Sequence, residues 1–130
     1  ENCRRFHPET EFDFRLGSGI DVLSEGETDD LIIAGMGGML MTEMLGKDPY
    51  KAKSFKKIVL QPRNNIGRLR HWLYNNGFSV KNEKLVREGR FICEVITAAP
   101  VEVAVTRSMG PESTYTYKVS GTLDKGIFVN

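Results

Sequence analysis

Three glycines in four positions, Gly35, Gly37 and Gly38, close the apolar run Leu31-Ile32-Ile33-Ala34 within DDLIIAGMGGMLMTEML. Glycine lets the backbone take positive φ and approach a neighbour closely. A turn of this kind, at the carboxyl end of a strand where open α/β sheets bind ligands, has two readings. It relieves crowding between a strand and the next helix, or it lets a ligand reach the main chain. Two phosphate-binding patterns are excluded. G-x-G-x-x-G fails because Leu40 stands where its last glycine belongs, and no G-x-x-x-x-G-K-[ST] run occurs. A second polar cluster, Gln61-Pro62-Arg63-Asn64, follows the apolar run Lys57-Ile58-Val59-Leu60. His7 and His71 are the only histidines, so a Ser/His/Asp or Cys/His engine has little to draw on. Cys3 and Cys93 stand far apart with no C-x-x-C, which argues against a metal site or disulfide framework and for a reducing, cytoplasmic setting. Asp29 and Asp30 precede their strand and so lie at the wrong end to serve as bases.

The elements around these residues follow from periodicity. ENCRRFHPETEFDFRLG reads as the tail of a helix running into a strand, Glu11–Leu16, in which Phe12 and Phe14 alternate with polar residues. Gly17-Ser18-Gly19 turns the chain into a short helical turn, Ile20–Leu23. The strand Leu31–Ala34 leads to a helix bearing Met39, Leu40, Met44 and Leu45, with Gly46 near Pro49 as its stop. Asn64 or Asn65 caps the next helix, IGRLRHWLYNN, which puts Ile66, Leu69 and Leu73 on one stripe with Trp72 beside it and ends at Gly77. Phe78–Val86 and Phe91–Ala99 form an antiparallel hairpin around Arg87-Glu88-Gly89-Arg90. This order predicts an α/β fold with a mostly parallel sheet over 1–100. A β-leaning tail of unassigned role covers 101–130.

With 130 residues, 40% of them hydrophobic and 27% charged, the chain supports one globular core. No apolar run is long enough to span a membrane, and no signal peptide is evident. The net charge of +1 is unevenly placed. Residues 1–50 hold 4 Lys/Arg against 11 Asp/Glu, while residues 51–130 hold 14 against 6. The basic excess between Lys51 and Arg90 is either a solvated face or a nucleic-acid contact surface.

FRLGSGIDVL, DDLIIAGMGGMLMTEML, KKIVLQPRNN, LRHWLYNNGFSV and EKLVREGRFICEVI, in this order, resemble the bacterial tRNA (adenine-N1)-methyltransferases that act on the D-arm. The match runs from about Phe12 to Ile96, and IAGMGG with LQP at their mutual spacing are its most specific parts. The resemblance implies a Rossmann-like class I methyltransferase sheet, S-adenosylmethionine as cofactor and tRNA as partner. It places Gly35, Met36, Gly37 and Gly38 beside the methyl group and target base. It places Gly17, Ser18 and Gly19 near the cofactor's adenine, with Ser18 where the family has Asp or Asn. Gln61 or Asn64 would hydrogen-bond the exocyclic amine of the target adenine, with Arg63 in or before the family's Asn position. Arg63, Arg68, Arg70, Lys84, Arg87 and Arg90 become candidate phosphate contacts. No metal is implied. The family's Asp-x-Gly strand and the acidic strand that holds the ribose have no counterpart upstream of Phe12. The chain therefore resembles the family's second half, with strand edges left open to self-association. Its tail does not resemble the family's helical extension. Two other readings stay open: a non-catalytic Rossmann-like RNA-binding module, and an unrelated α/β enzyme binding a nucleotide at Gly35–Gly38.

Overall fold

The computed structural model describes residues 2–101. A short helix, α1 (Asn2–Phe6), precedes an extended stretch and a 3-10 turn at Gly19–Val22. Then come β1 (Asp30–Met36), α2 (Gly38–Lys47), α3 (Pro49–Ser54), β2 (Lys57–Pro62) and α4 (Ile66–Asn75), followed by the hairpin strands β3 (Phe78–Glu88) and β4 (Phe91–Pro100). No helix among the described residues is long and apolar enough to cross a membrane.

The sheet order is β1-β2-β4-β3. β1 and β2 are parallel, with Leu31 opposite Ile58 and Ile33 opposite Leu60. β4 inserts between β2 and β3 and is antiparallel to both. The α/β character and the closing hairpin stand, but the described sheet is mixed, with one parallel pairing. A strand returning through a tight turn must run antiparallel, and its apolar residues Ile96 and Ala98 belong opposite Leu60 and Ile58.

Period-two alternation sends Ile33, Ile58, Leu60, Ile96 and Ala98 to one face, where Met41 and Leu45 of α2 and Leu69 and Leu73 of α4 cover them. Burying each of these Ile, Leu and Met side chains stabilises the fold by roughly 1.5–3 kcal/mol. Trp72 stacks on Phe78, ring centroids 5.9 Å apart. On the opposite face Ile32 is 72% exposed.

Two local expectations are corrected. Gly46 lies inside α2, which runs on to Lys47, beside Trp72 of α4; a Cβ there would reach that ring at 3.4 Å, the edge of ordinary contact. The break falls at Asp48-Pro49, where the Asp48 carboxylate accepts the Lys51 N–H at 3.1 Å and Pro49 opens α3. Glu11–Leu16 is not a strand. Alternation makes a strand only where a neighbour takes its backbone hydrogen bonds, and none of the described strands pairs with it. Phe14 and Leu16 are exposed. The segment is held through Arg15, which meets Asp13, Glu27 and the Val22 carbonyl. From residue 102 the β-leaning tail lies outside the described residues.

Candidate functional site

Parallel pairing of β1 and β2 brings their carboxyl-terminal loops side by side. Three hydrogen bonds join them. The Gly35 N–H donates to Gln61 Oε1 at 2.8 Å. The Arg63 N–H donates to the Met36 carbonyl at 2.8 Å, and the Gly38 N–H to the Asn64 carbonyl at 3.1 Å. The last bond supplies an acceptor for a first-turn N–H of α2 that has no partner within its own helix.

The glycines of this junction do different things. Gly35 takes φ +75°, at the irregularity where the β1–β2 register shifts. A Cβ there would touch the Arg63 guanidinium at 3.7 Å, an ordinary contact, so the positive φ rather than crowding calls for glycine. At Gly37 a Cβ would fall 2.9 Å from Asn64 Oδ1, and at Gly38 one would fall 2.7 Å from the Asn64 carbonyl oxygen. At Gly38 the second loop's backbone occupies the space and demands glycine, whereas at Gly37 the neighbour is the end of the Asn64 side chain. Met36 packs against the core. Asn65, with φ +52°, stands before α4 without a side-chain cap, and its amide bonds Asn64 Oδ1 at 3.2 Å.

Beyond the joined loops opens a cleft of about 770 Å³ lined by Ala34, Gly35, Gln61 and Arg63 and, across from them, Glu88, Phe91 and Glu94 of the hairpin. Of the residues singled out in the sequence, Gly35, Gln61 and Arg63 meet here. Met36, Gly37, Gly38 and Asn64 build the loops behind it. Phe91 and Glu94 were not foreseen. Their signal was available only as register: β4 begins well before its pairing with β2 at Leu60–Ile96, so its first residues overhang the end of β2.

Gly17, Ser18 and Gly19 lie on the flank of α2. A Cβ at Gly17 would meet Val22, and one at Gly19, whose φ is +56°, would meet Met44. Met44 is six residues into α2 from Gly38, roughly 9 Å along the axis at 1.5 Å per residue. The Ser18 carbonyl accepts the Asp21 N–H at 3.0 Å, and its hydroxyl makes no capping bond.

The basic candidates divide. Arg63 and Arg68 are exposed; Arg68 lies in a second groove, between α2 and α4, with Met39 and Trp72. Arg70 is engaged inside the molecule by Glu83, at 2.5 Å, and Glu94. Partial burial works against its charge, but the two carboxylates prevail and hold its pKa above the ordinary arginine value. Arg70 so ties α4 to the hairpin. Lys84 and Arg87 are exposed, but alternation puts them on opposite faces of β3, so with Arg90 at the turn they do not form one basic face. Asp29 and Asp30 pair with Lys56 and Lys57 at the far end of the parallel strands.

Fold and loops together define an α/β protein with a ligand-sized cleft at the carboxyl ends of its parallel strands. A family model described as a methyltransferase domain matches residues 1–96, and the chain belongs to that family. The tRNA (adenine(22)-N(1))-methyltransferase of Bacillus subtilis is 36% identical over 86 residues, 65% of this chain and 35% of that protein. The crystal structure of the B. subtilis M1A22 tRNA methyltransferase TrmK superposes with a TM-score of 0.62 at 32% identity, covering 66% of this chain and 37% of that one. Streptococcus pneumoniae Sp1610, crystallised in complex with S-adenosyl-L-methionine, gives a TM-score of 0.71 at 25% identity, covering 81% and 50%. The chain spans half or less of each of these relatives.

Proposed function

We propose that this chain carries the substrate-facing loops of an S-adenosylmethionine-dependent tRNA (adenine-N1)-methyltransferase. The observation that supports it is the joined loop pair, Gly35–Gly38 with Gln61–Asn64, opening onto a cleft at the carboxyl ends of β1 and β2. The relatives' substrate and cofactor agree with it.

S-adenosylmethionine supplies an electrophilic methyl carbon on a sulfonium. Adenine N1 needs no activation, because its lone pair lies in the ring plane and is free to attack. The N1–C bond forms as the C–S pair leaves to sulfur, and the cationic adenine then loses an exocyclic proton to water. What the protein adds is in-line positioning, worth roughly 7–11 kcal/mol in favourable cases. The groups at the cleft suit such positioning, with the Gln61 amide anchored by the Gly35 N–H and a cation at Arg63. Of the two cleft carboxylates, Glu94 is held by Arg70 and Glu88 accepts from the Cys93 thiol at 3.6 Å.

Gln61 has its Oε1 engaged by the Gly35 N–H, so it presents its NH2 to the cleft. That end suits a ring nitrogen, N3 or N7, better than the exocyclic amine, which is itself a donor. Asn64 serves the loop pair. The Ser18 hydroxyl is available to the cofactor's adenine. Arg63, Arg68, Lys84, Arg87 and Arg90 would meet phosphates along separate stretches of a folded tRNA, with the target base unstacked into the cleft.

The test is calorimetric titration of S-adenosylhomocysteine into this protein and into Gly37→Val, followed by methyl transfer to unmodified tRNA and mapping of the product. Saturable binding lost in the variant, with methyl on adenine N1, is expected. Salt-dependent tRNA binding by a protein that never binds S-adenosylhomocysteine would make it a binding module instead.

A further inference from the structure

Phe91 is 69% exposed and is the first residue of β4, yet it lines the same cleft as Gly35 and Gln61. We propose that its ring is the surface on which the target base stacks, so that the methylation site grips adenine by its face. This inference rests on the reading of the chain as a methyltransferase acting on a nucleobase.

Register places the ring. Phe91 pairs with Glu88, and alternation along β4 puts Phe91, Cys93, Val95 and Thr97 on one face. Thr97 is opposite Val59, two residues before Gln61, and Gln61 is opposite Ala34. Phe91 therefore stands on the face of the sheet that Ala34 and Gln61 share, beyond the last rung of β2. Arg70, reaching from α4 to Glu83 on β3 and Glu94 on β4, ties the hairpin to the helix at the border of its outer half, three residues from Phe91.

Chemistry favours a face contact. The reacting lone pair of N1 lies in the plane of the base, so a donor aimed at that edge would compete with the methyl carbon. A π-face contact holds the ring while leaving the whole edge open. Base–aromatic stacking is tolerant of which base is present, so in this site Phe91 supplies grip and Gln61 supplies orientation. A large exposed aromatic ring has no packing role to lose, which separates this function from stability.

The experiment uses wild type with Phe91→Ala, Phe91→Leu and Phe91→Trp. Single-turnover methyl transfer to unmodified tRNA is measured at saturating S-adenosylmethionine, with S-adenosylhomocysteine affinity and thermal midpoint alongside. Truncating a stacked aromatic costs a base contact roughly ten- to hundredfold. Phe91→Ala and Phe91→Leu should lose that much transfer rate, and Phe91→Trp should restore most of it. Cofactor affinity and midpoint should stay at wild-type values in all three. Rates unchanged in Phe91→Ala overturn the proposal. So does Phe91→Leu matching wild type, or a rate loss that tracks loss of cofactor affinity or midpoint. A wild-type protein that binds S-adenosylhomocysteine and methylates no tRNA would instead defeat the functional reading, and this inference with it.

Discussion

At its base the β3–β4 hairpin is core, whereas toward its turn it is bare. Phe78 and Ser79 of β3 and Ile96 and Ala98 of β4 are buried under α4 and beside β2. Leu85, Val86, Phe91 and Ile92 are exposed, although the same backbone ladder runs through both halves. Regular strand geometry therefore does not by itself explain why the outer half carries apolar residues. The inner half uses them for cohesion. The outer half holds two of them, Phe91 and Ile92, at a cleft, with Arg70 at the border between the halves.

Substitutions along the ladder sharpen that contrast. Ile96→Ala removes a fully buried side chain and should destabilise the protein by about 2–5 kcal/mol, seen as a lower denaturation midpoint in urea. Arg70→Met keeps the side-chain stem but removes the charge that holds Glu83 and Glu94. The pair is partly solvated, so the expected loss is only about 1 kcal/mol. Methyl transfer should fall further than that while S-adenosylhomocysteine affinity persists. Equal effects of Ile96→Ala and Arg70→Met on stability would break the distinction between the halves.

The smallest effect lies outside the hairpin. The Arg15 guanidinium, with help from the Ser24 N–H, lowers the Glu27 pKa from 4.5 to about 2. Unfolding of this segment takes up a proton between those values, so the pair's stabilisation is present above pH 4.5 and is lost as pH falls toward 2. Limited proteolysis of residues 13–27 should accelerate over that range, and Glu27→Gln should abolish the pH step without touching hairpin or cleft.

Much of this architecture was legible in the sequence because local chemistry suffices for it. Apolar runs at Leu31–Ala34 and Lys57–Leu60, the Leu69/Leu73 stripe and the Gly89 turn all became the elements they suggest. The failures share a cause. Gly46 reads as a helix stop until Trp72 arrives from another helix, and Phe12/Phe14 alternation reads as a strand until no neighbour pairs with it. α3, six residues rich in lysine, is too short to show a periodicity. Half of the cleft was legible in the glycine and Gln-Pro loops. The other half was not, because Phe91 and Glu94 reach it through a pairing register that no residue of either loop encodes.

The bond from the Gly38 N–H to the Asn64 carbonyl has a consequence for the order of folding. The first turn of α2 is completed by a residue far down the chain, as is the Gly35 N–H, whose partner Gln61 is 26 residues away. Such long-range closures must be made before they stabilise anything. The glycine junction therefore stays unfinished until β2 has zipped onto β1. The junction beside the cleft becomes native only after these two strands have paired, so an intact junction reports a correctly paired sheet.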